Sequence, residues 1–150
     1  MRIAIGSDHI GYPLKRKVID FLESQGHTAR DFGADGEQRA HYPIYGQRVA
    51  QAVANGACDL GVLICGTGIG ISLAANKVPG IRAAVCSEPY SAHMARAHND
   101  ANIIAFGTRV VGEGLALEIV KAFLQATFEG GRHLERVLMI DAIQRGERIG

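Results

Sequence analysis

Short apolar runs alternate along this chain with longer segments in which apolar residues recur every three or four positions. Runs of four to six residues predict strands at residues 2–6, 28–32, 60–65, 81–86 and 103–106. The run Leu60–Cys65 is apolar on both faces, which is typical of a strand buried in the middle of a parallel sheet. Five strands separated by helices predict an α/β domain whose parallel sheet is covered on both sides.

The segments between these strands have the spacing of amphipathic helices. Helices are expected to begin near Pro13, Pro43 and Pro89, since proline is favoured in a first helical turn. A short helix ending near residue 76, a helix over 113–126 and a last helix over 132–145 complete a single domain of residues 1–150. The predicted apolar stripes are Leu14, Val18, Phe21 and Leu22; Tyr45, Val49, Ala52 and Val53; Tyr90, Met94, Ala97 and His98; and Leu115, Ile119, Ala122 and Phe123.

Charge and cysteine content narrow the class of protein. The net charge is +1, from 16 Lys and Arg against 15 Asp and Glu, which excludes a generally basic nucleic-acid-binding protein. The uncharged stretch 60–76 is interrupted by glycine, serine and threonine, so it does not predict a membrane span. The three cysteines include no C-x-x-C pair, so neither a disulfide nor a structural zinc site is expected. With no signal peptide expected before the first strand, these features indicate a cytoplasmic protein.

Glycine is the unusual part of the composition, with 19 of 150 residues where the average content gives roughly 11. Three alternate glycines follow the central strand, in the segment Cys65-Gly66-Thr67-Gly68-Ile69-Gly70. Such a turn lets backbone N–H groups converge on an anion. The alternative is that small residues permit close packing of strand and helix. The segment has neither the nucleoside-triphosphate nor the dinucleotide spacing, so no cofactor is expected.

Ligands of open parallel sheets bind at the carboxyl ends of the strands, so the residues that follow each strand are candidates. Cys65 is a candidate base or nucleophile, although burial as an inert thiol is an equal alternative and is the expectation for Cys86. Asp8 either binds a polar ligand or caps the next helix. The candidates at this edge are Ser7-Asp8-His9, Cys65–Gly70, Ser87-Glu88 and Gly107-Thr108-Arg109.

Two groups on helices are further candidates. His98, in the sequence His98-Asn99-Asp100, is either a ligand-binding residue or a buried core histidine. Arg132 and Arg136 lie on one face of the last helix and can clamp a phosphate; alternatively, they pair with Glu129 or Glu135. The closest pair of histidines is five positions apart, a poor spacing for metal ligands, so no metal is expected. Together these groups predict a site for a small phosphorylated ligand.

The motifs, taken in order, resemble the type B ribose-5-phosphate isomerase family, which also includes galactose-6-phosphate and allose-6-phosphate isomerases. The resemblance implies a Rossmann-like three-layer α/β/α sandwich and an aldose–ketose isomerase that works through an enediolate without metal or cofactor. It also implies a homodimer or tetramer with shared active sites, in which the C-terminal helix reaches a partner subunit. The motifs are Gly6-Ser7-Asp8-His9-Ile10-Gly11, Tyr42-Pro43, Cys65-Gly66-Thr67-Gly68-Ile69-Gly70-Ile71-Ser72, Ala75-Asn76-Lys77, Glu88-Pro89-Tyr90-Ser91-Ala92, His98-Asn99-Asp100 and Glu129-Gly130-Gly131-Arg132-His133 with Arg136.

The resemblance also implies a role for each matching residue. Cys65 is expected to be the base that moves a proton between C2 and C1. His98 is expected to open the sugar ring, and Thr67 to assist proton transfer. The amides of Gly66, Thr67, Gly68, Ile69 and Gly70 are expected to stabilise the enediolate oxygen. The sugar hydroxyls are assigned to Asp8, Tyr42 and Asn99, and the phosphate to His9, Arg109, Arg132 and Arg136.

One position departs from the family pattern, because His41 precedes Tyr42-Pro43 where an acidic residue is usual. A different local charge at this point keeps six-carbon and four-carbon sugar phosphates open as substrates. A phosphosugar-binding module without catalysis is the remaining alternative from another functional class. No nucleic-acid or membrane partner is expected.

Overall fold

The computed structural model describes residues 1–150 and confirms the predicted α/β sandwich. Its strands are β1 (Arg2–Ser7), β2 (Thr28–Asp31), β3 (Leu60–Cys65), β4 (Ala83–Val85) and β5 (Ile103–Gly107). Its helices are α1 (Tyr12–Ser24), α2 (Tyr42–Ala54), α3 (Ile69–Ala75), α4 (Pro89–Asn99), α5 (Glu113–Gln125) and α6 (Arg132–Gln144). All paired strands are parallel, in the order β2-β1-β3-β5-β4. None of the six helices is sufficiently long and apolar to cross a membrane.

Two apolar cores, one on each face of the sheet, hold the layers together. Helices α1, α4 and α5 pack on one face, where Phe106 and Phe123 are completely buried. Helices α2 and α3 pack on the other face around Val49 and Ile71. Strand β3 contributes alternate residues to both cores and is buried along its whole length, as its apolar sequence predicts.

The apolar face predicted for α4 is only partly correct, because Ala97 is buried but the larger residues are not. Tyr90 is 72% exposed, and the buried residues of the helix are Ala92, Ala95 and Ala97. Small side chains allow α4 to lie close against α5, so the alanines face inward and the larger residues with helical spacing face outward. Leu115 of α5, also predicted to be inside, is 40% exposed.

The edge strand β4 spans three residues, Ala83–Val85, where the apolar run predicts six. At its start the Asn102 side chain replaces a strand partner, because its Oδ1 accepts from the N–H of Arg82 at 2.8 Å. On the outer side, Asn76 donates to the carbonyl of Ala83 at 2.9 Å and accepts from the N–H of Ala83 at 2.7 Å. The Asn76 amide therefore satisfies both outward polar groups of Ala83, as a neighbouring strand would.

The apolar pattern of α1 does not predict that the charged residue Lys15 is buried. Lys15 has no exposed surface, and its Nζ donates to the Asp31 carboxylate at 2.7 Å and to the carbonyl of Ala34. Asp31 also accepts from the N–H of Gly33 at 2.9 Å. Gly33 and Ala34 in turn exchange backbone hydrogen bonds with Ser7 at the end of β1. The Lys15 ammonium therefore ties α1 to the segment that borders the carboxyl edge of the sheet.

We expect Lys15→Met to lower the free energy of unfolding by about 2–4 kcal/mol, because Asp31 and Ala34 lose their buried partner. Methionine nearly preserves the length of the side chain, so the loss reports the polar contacts rather than a cavity. Chemical denaturation followed by circular dichroism measures the change. The control, Lys17→Met on the exposed face of α1, is expected to change the free energy by less than about 0.5 kcal/mol. Equal effects of the two substitutions would contradict the prediction.

Candidate active site

Three neighbouring strands end in one row at the carboxyl edge of the sheet. Ser7 pairs with Ile64, Cys65 pairs with Gly107, and the N–H of Asp8 donates to the carbonyl of Ile64 at 3.3 Å. Strand β2 lies next to β1 on one side, whereas β3, β5 and β4 follow on the other side of β1, so the strand order reverses between β1 and β3. Ligands bind at such a reversal of strand order in open parallel sheets. The segment after β1 and the glycine-rich segment after β3 therefore flank a natural binding position.

Cys65 is a buried thiol, 4% exposed, at the end of β3. The N–H of Gly68 donates to its Sγ at 3.1 Å, which places a donor where it stabilises negative charge on the sulfur. The surroundings of Cys86 are different, because burial and the nearby Glu88 raise the pKa of its thiol to about 11. Cys86 thus fits the inert role predicted for it, whereas Cys65 has a polar group directed at its sulfur.

Close packing explains two of the glycines that follow β3. Gly68 has a φ of +79°, and a Cβ at this position would lie 2.8 Å from the backbone of Phe106. A Cβ at Gly70 would lie 2.7 Å from the ring of Tyr42, which begins α2. Any larger residue at either position would displace a neighbour. The packing interpretation therefore holds for Gly68 and Gly70.

Gly66 is different, because the chain itself leaves room for a side chain there. The nearest atom to its Cβ position, in the Arg109 side chain, would be 3.7 Å away, an ordinary contact. Packing within the chain therefore does not explain why this position is glycine. Arg109, which comes after β5, lies beside this loop, because its N–H donates to the Gly66 carbonyl at 3.1 Å. Thr67 steadies the turn through its Oγ1, which accepts from the N–H of Ile69 at 3.2 Å.

Asp8 and His9 are oriented by hydrogen bonds from neighbouring backbone. Asp8 is 5% exposed, and its Oδ1 accepts from the N–H of Gly11 at 2.9 Å. Gly11 precedes the first helical residue, so Asp8 braces the turn into α1 and does not cap the helix itself. His9 accepts the N–H of Ala40 on Nδ1 at 3.2 Å. The neutral ring then carries its proton on Nε2, which is left as a hydrogen-bond donor.

Glu88 also lies after a strand but serves the helix that follows it. Its carboxylate accepts from the N–H of Ser91 at 2.9 and 3.0 Å, which caps α4. This hydrogen bond lowers the pKa of Glu88 below its ordinary value. Its carboxylate is thus engaged at the start of α4.

His98 and Asn99 lie at the opposite, amino edge of the sheet. Helix α4 starts beside the carboxyl edge and runs back against the strand direction, ending just before β5 begins. The turn between them is attached to the start of β3, because the N–H of Gly61 donates to the carbonyl of Asn102 at 2.9 Å. The five residues of β5, at ~3.3 Å each, separate the two edges by about 15 Å.

The His98 side chain is 37% exposed, so the interpretation as a buried core histidine is wrong. Its ring stacks on that of His133, with centroids 4.0 Å apart and planes 11° from parallel. Glu129 Oε2 lies 3.5 Å from Nε2 of His98 and 3.6 Å from Nε2 of His133. Sequence reasoning assigned no role to Glu129 with His133, although their i, i+4 spacing is a signal that could have identified the pair.

This cluster has the residue types of a metal site but not its geometry. The ligand atoms of His98, Glu129 and His133 lie within 4.8 Å of one another. Because the two rings are nearly parallel, their Nε2 atoms point side by side instead of converging on one tetrahedral centre. Burial, together with the charges of His98 and Arg132, lowers the pKa of His133 below its ordinary value. The arrangement is that of a stacked pair beside a carboxylate.

Arg132 and Arg136 are both exposed on α6, at the same edge as His98. Neither forms an ion pair, and Glu129 contacts the two histidines instead. The alternative in which these arginines pair with Glu129 or Glu135 is therefore wrong. Their guanidinium groups are free to bind an anion.

The predicted site residues thus form two separate groups within one chain. The carboxyl-edge cluster provides the Cys65 thiol, one imidazole and one guanidinium group, and the amino-edge cluster provides two stacked imidazoles and two guanidinium groups. Cys65 and His98 therefore lie at opposite edges of the sheet within one chain. The carboxyl-edge cluster consists of Asp8, His9, Tyr42, Cys65–Gly70 and Arg109, and the amino-edge cluster consists of His98, Asn99, Glu129, Arg132, His133 and Arg136.

The chain is similar along nearly its whole length to known proteins. Ribose-5-phosphate isomerase B of Escherichia coli (strain K12) is 54% identical over 144 residues, which are 96% of this chain and 97% of that protein. The structure of Clostridium thermocellum ribose-5-phosphate isomerase B matches with a TM-score of 0.96 and 57% identity, covering 97% of this chain and 99% of that one. Mycoplasma genitalium ribose-5-phosphate isomerase B with bound ribulose-5-phosphate matches with a TM-score of 0.91 and 38% identity, covering 96% of each chain.

Residues 3–140 match the family described as Ribose/Galactose Isomerase. The match spans every strand of the sheet and both clusters of candidate site residues. By sequence and by fold, this chain belongs to the ribose/galactose isomerase family.

Proposed function

We propose that this protein is an aldose–ketose isomerase that interconverts ribose 5-phosphate and ribulose 5-phosphate through an enediolate. The observation that carries the proposal is the environment of Cys65. Its sulfur accepts a hydrogen bond from the N–H of Gly68, and the backbone of Gly66 next to it is open. A thiol next to convergent N–H groups suits proton abstraction adjacent to a carbonyl. Support for the substrate comes from the E. coli relative of that name and from the M. genitalium relative that holds ribulose-5-phosphate.

Cys65 acts as the base in the proposed reaction. Its thiolate takes the proton from C2 of the open-chain aldose, the C–H electron pair forms the C1–C2 double bond, and negative charge moves to O1. Within residues 66–70, the N–H groups of Gly66, Thr67 and Gly70 donate to this enediolate oxygen, because those of Gly68 and Ile69 already donate to Cys65 Sγ and Thr67 Oγ1. Return of the proton to C1 gives the ketose, while a proton passes from O2 to O1. We assign that second transfer to Thr67, whose hydroxyl lies on the same loop.

The remaining site residues bind the sugar and its phosphate. Asp8, with one carboxylate oxygen held by the N–H of Gly11, offers the other to a sugar hydroxyl, as do Tyr42 and Asn99 with their polar groups. The Nε2 proton of His9 is directed to the phosphate. The guanidinium groups that share the phosphate are those of Arg109, Arg132 and Arg136.

The proposed site is completed by a second copy of the chain. Cys65 and His98 of one chain lie at opposite edges of the sheet, which are about 15 Å apart. A sugar ring of five or six atoms cannot span that separation, so His98 acts on a sugar bound by its partner. Exposed apolar side chains along α6 support such an assembly, because a second copy would cover them. We therefore propose a dimer in which α6 reaches the partner, with a tetramer as a pair of such dimers. These side chains, each 44–55% exposed, are Leu134, Leu138, Met139, Ile140 and Ile143.

We place the protein in the cytoplasm. The three cysteines are unpaired, which is consistent with a reducing compartment. The near-zero net charge argues against nucleic acid or an anionic membrane surface as a partner.

The substrate is tested with a panel of sugar phosphates assayed in the presence of a chelator. We expect kcat/KM for ribose 5-phosphate to exceed that for galactose 6-phosphate, allose 6-phosphate and a tetrose phosphate by at least about tenfold, or 1.4 kcal/mol. A preference for a six-carbon or four-carbon sugar would contradict the proposed substrate and point to His41 as its cause. Binding without exchange of the C2 proton into deuterated water would indicate a binding module instead.

Cys65→Ala is expected to lower kcat by about a thousandfold or more while ribose 5-phosphate still binds, because the base is lost and the hydroxyl and phosphate contacts remain. Steady-state kinetics and calorimetric titration measure the two effects. Cys86→Ala is the control and is expected to keep wild-type kcat. Near-normal turnover of Cys65→Ala would disprove the role of the thiol.

Mixing two inactive variants tests the shared site. When Cys65→Ala and His98→Asn chains are unfolded together and refolded, half of the dimers are mixed, and each mixed dimer has one site with both native residues. About a quarter of wild-type activity is therefore expected to return. Mixtures that remain inactive, in a preparation shown by mass spectrometry to contain mixed dimers, would mean that Cys65 and His98 act from the same chain.

A further inference from the structure

Arg82, which precedes β4, contacts both elements that carry the amino-edge cluster. Its Nε donates to the carbonyl of Asp100, and its Nη2 donates to the carboxylate of Asp100, both at 3.0 Å. Asp100 directly follows His98 and Asn99 at the end of α4. The Nη1 of Arg82 donates to the carboxylate of Asp141 on α6 at 3.3 Å. The Arg82 side chain is only 20% exposed, so water competes weakly for these hydrogen bonds.

The end of α4 depends on this carboxylate. Asp100 has a φ of +48° and is the one residue other than glycine with a left-handed backbone. Its second oxygen accepts from Arg96, which also donates to the carbonyl of Ala101 at 3.3 Å. Two arginines on one carboxylate therefore hold the turn from which His98 and Asn99 project.

Helix α6 has little apolar packing to hold it in place. It buries only His133 and Val137, and a cavity of about 600 Å³ lies between α6, α4 and β4. Within one chain, the second half of the helix is therefore held by two polar contacts. They are the hydrogen bond from Arg82 to Asp141 and that from the N–H of Gly80 to Oε1 of Gln144, at 3.1 Å.

We propose that Arg82 is a positioning residue for the isomerisation, because it sets the placement of His98 relative to the phosphate-binding arginines of α6. This inference rests on the proposed function. The ring oxygen and the phosphate belong to one substrate, so His98 must meet the first while Arg132 and Arg136 hold the second. Displacement of one element by about 1 Å is enough to lower the rate strongly. Arg82 links the two elements through a single rigid guanidinium group.

Two substitutions separate the two contacts of Arg82. Asp141→Asn weakens only the link to α6, and we expect it to raise KM for ribose 5-phosphate about tenfold with kcat within about twofold. The dissociation constant of inorganic phosphate, measured by calorimetry, is expected to rise with KM. In Arg82→Lys the single ammonium cannot bridge both carboxylates, so we expect KM to rise and kcat to fall, each about tenfold.

Glu147→Gln is the matched control, because it breaks the Arg145–Glu147 ion pair just beyond α6, and it is expected to change none of these constants. If both test variants lose thermal stability but keep wild-type kcat, KM and phosphate affinity, Arg82 has only a structural role and the inference is wrong. If Arg82→Lys does not fold, Asp141→Asn decides by its KM and phosphate affinity. Wild-type protein that binds phosphate without isomerising ribose 5-phosphate contradicts the proposed function, and the phosphate affinities then decide the role of Arg82 alone.

Discussion

Because all five strands are parallel, every helix that joins two of them must return across the sheet from its carboxyl edge to its amino edge. This constraint decides where each chemical group lies. Groups that follow a strand, such as Cys65 and Arg109, collect at one edge, and groups at the end of a returning helix, such as His98, collect at the other. No local change in a loop brings His98 to Cys65 while the strand pairing is kept. The division of the site is thus a property of the connectivity.

The glycine-rich segment shows how packing and chemistry share a few residues. Gly68 and Gly70 are required by the backbone of Phe106 and the ring of Tyr42, and these contacts leave the loop little freedom. Rigid backbone N–H groups stabilise a developing charge better than mobile ones, because they need no reorganisation when the charge appears. The proposed reaction places the ligand at the open position of Gly66, beside a loop that its neighbours hold in place. Close packing and anion binding are complementary interpretations of this segment.

The sequence predicts the existence and order of every helix and strand, because apolar runs alternate with segments of helical spacing and most elements end near glycine, proline or asparagine. It also predicts which residues follow the strands, and these form the carboxyl-edge cluster. It does not predict the buried Lys15, whose partners lie 16 and 19 residues away, since periodicity describes only neighbours within one helix. Strand order and the stacking of His98 on His133 are missed for the same reason. The catalytic roles rest on resemblance and remain predictions.

The outer edge of the sheet is closed by a side chain rather than by a strand. Strand β4 has three residues, and Asn76 already occupies the outward N–H and C=O groups of Ala83. A strand from another molecule would have to displace that amide before it could pair along this edge. Copies of the chain are therefore kept from joining their sheets end to end on this side into an open-ended array. Association on this side is left to the side chains of helices, whose shape and charge can select a single partner orientation.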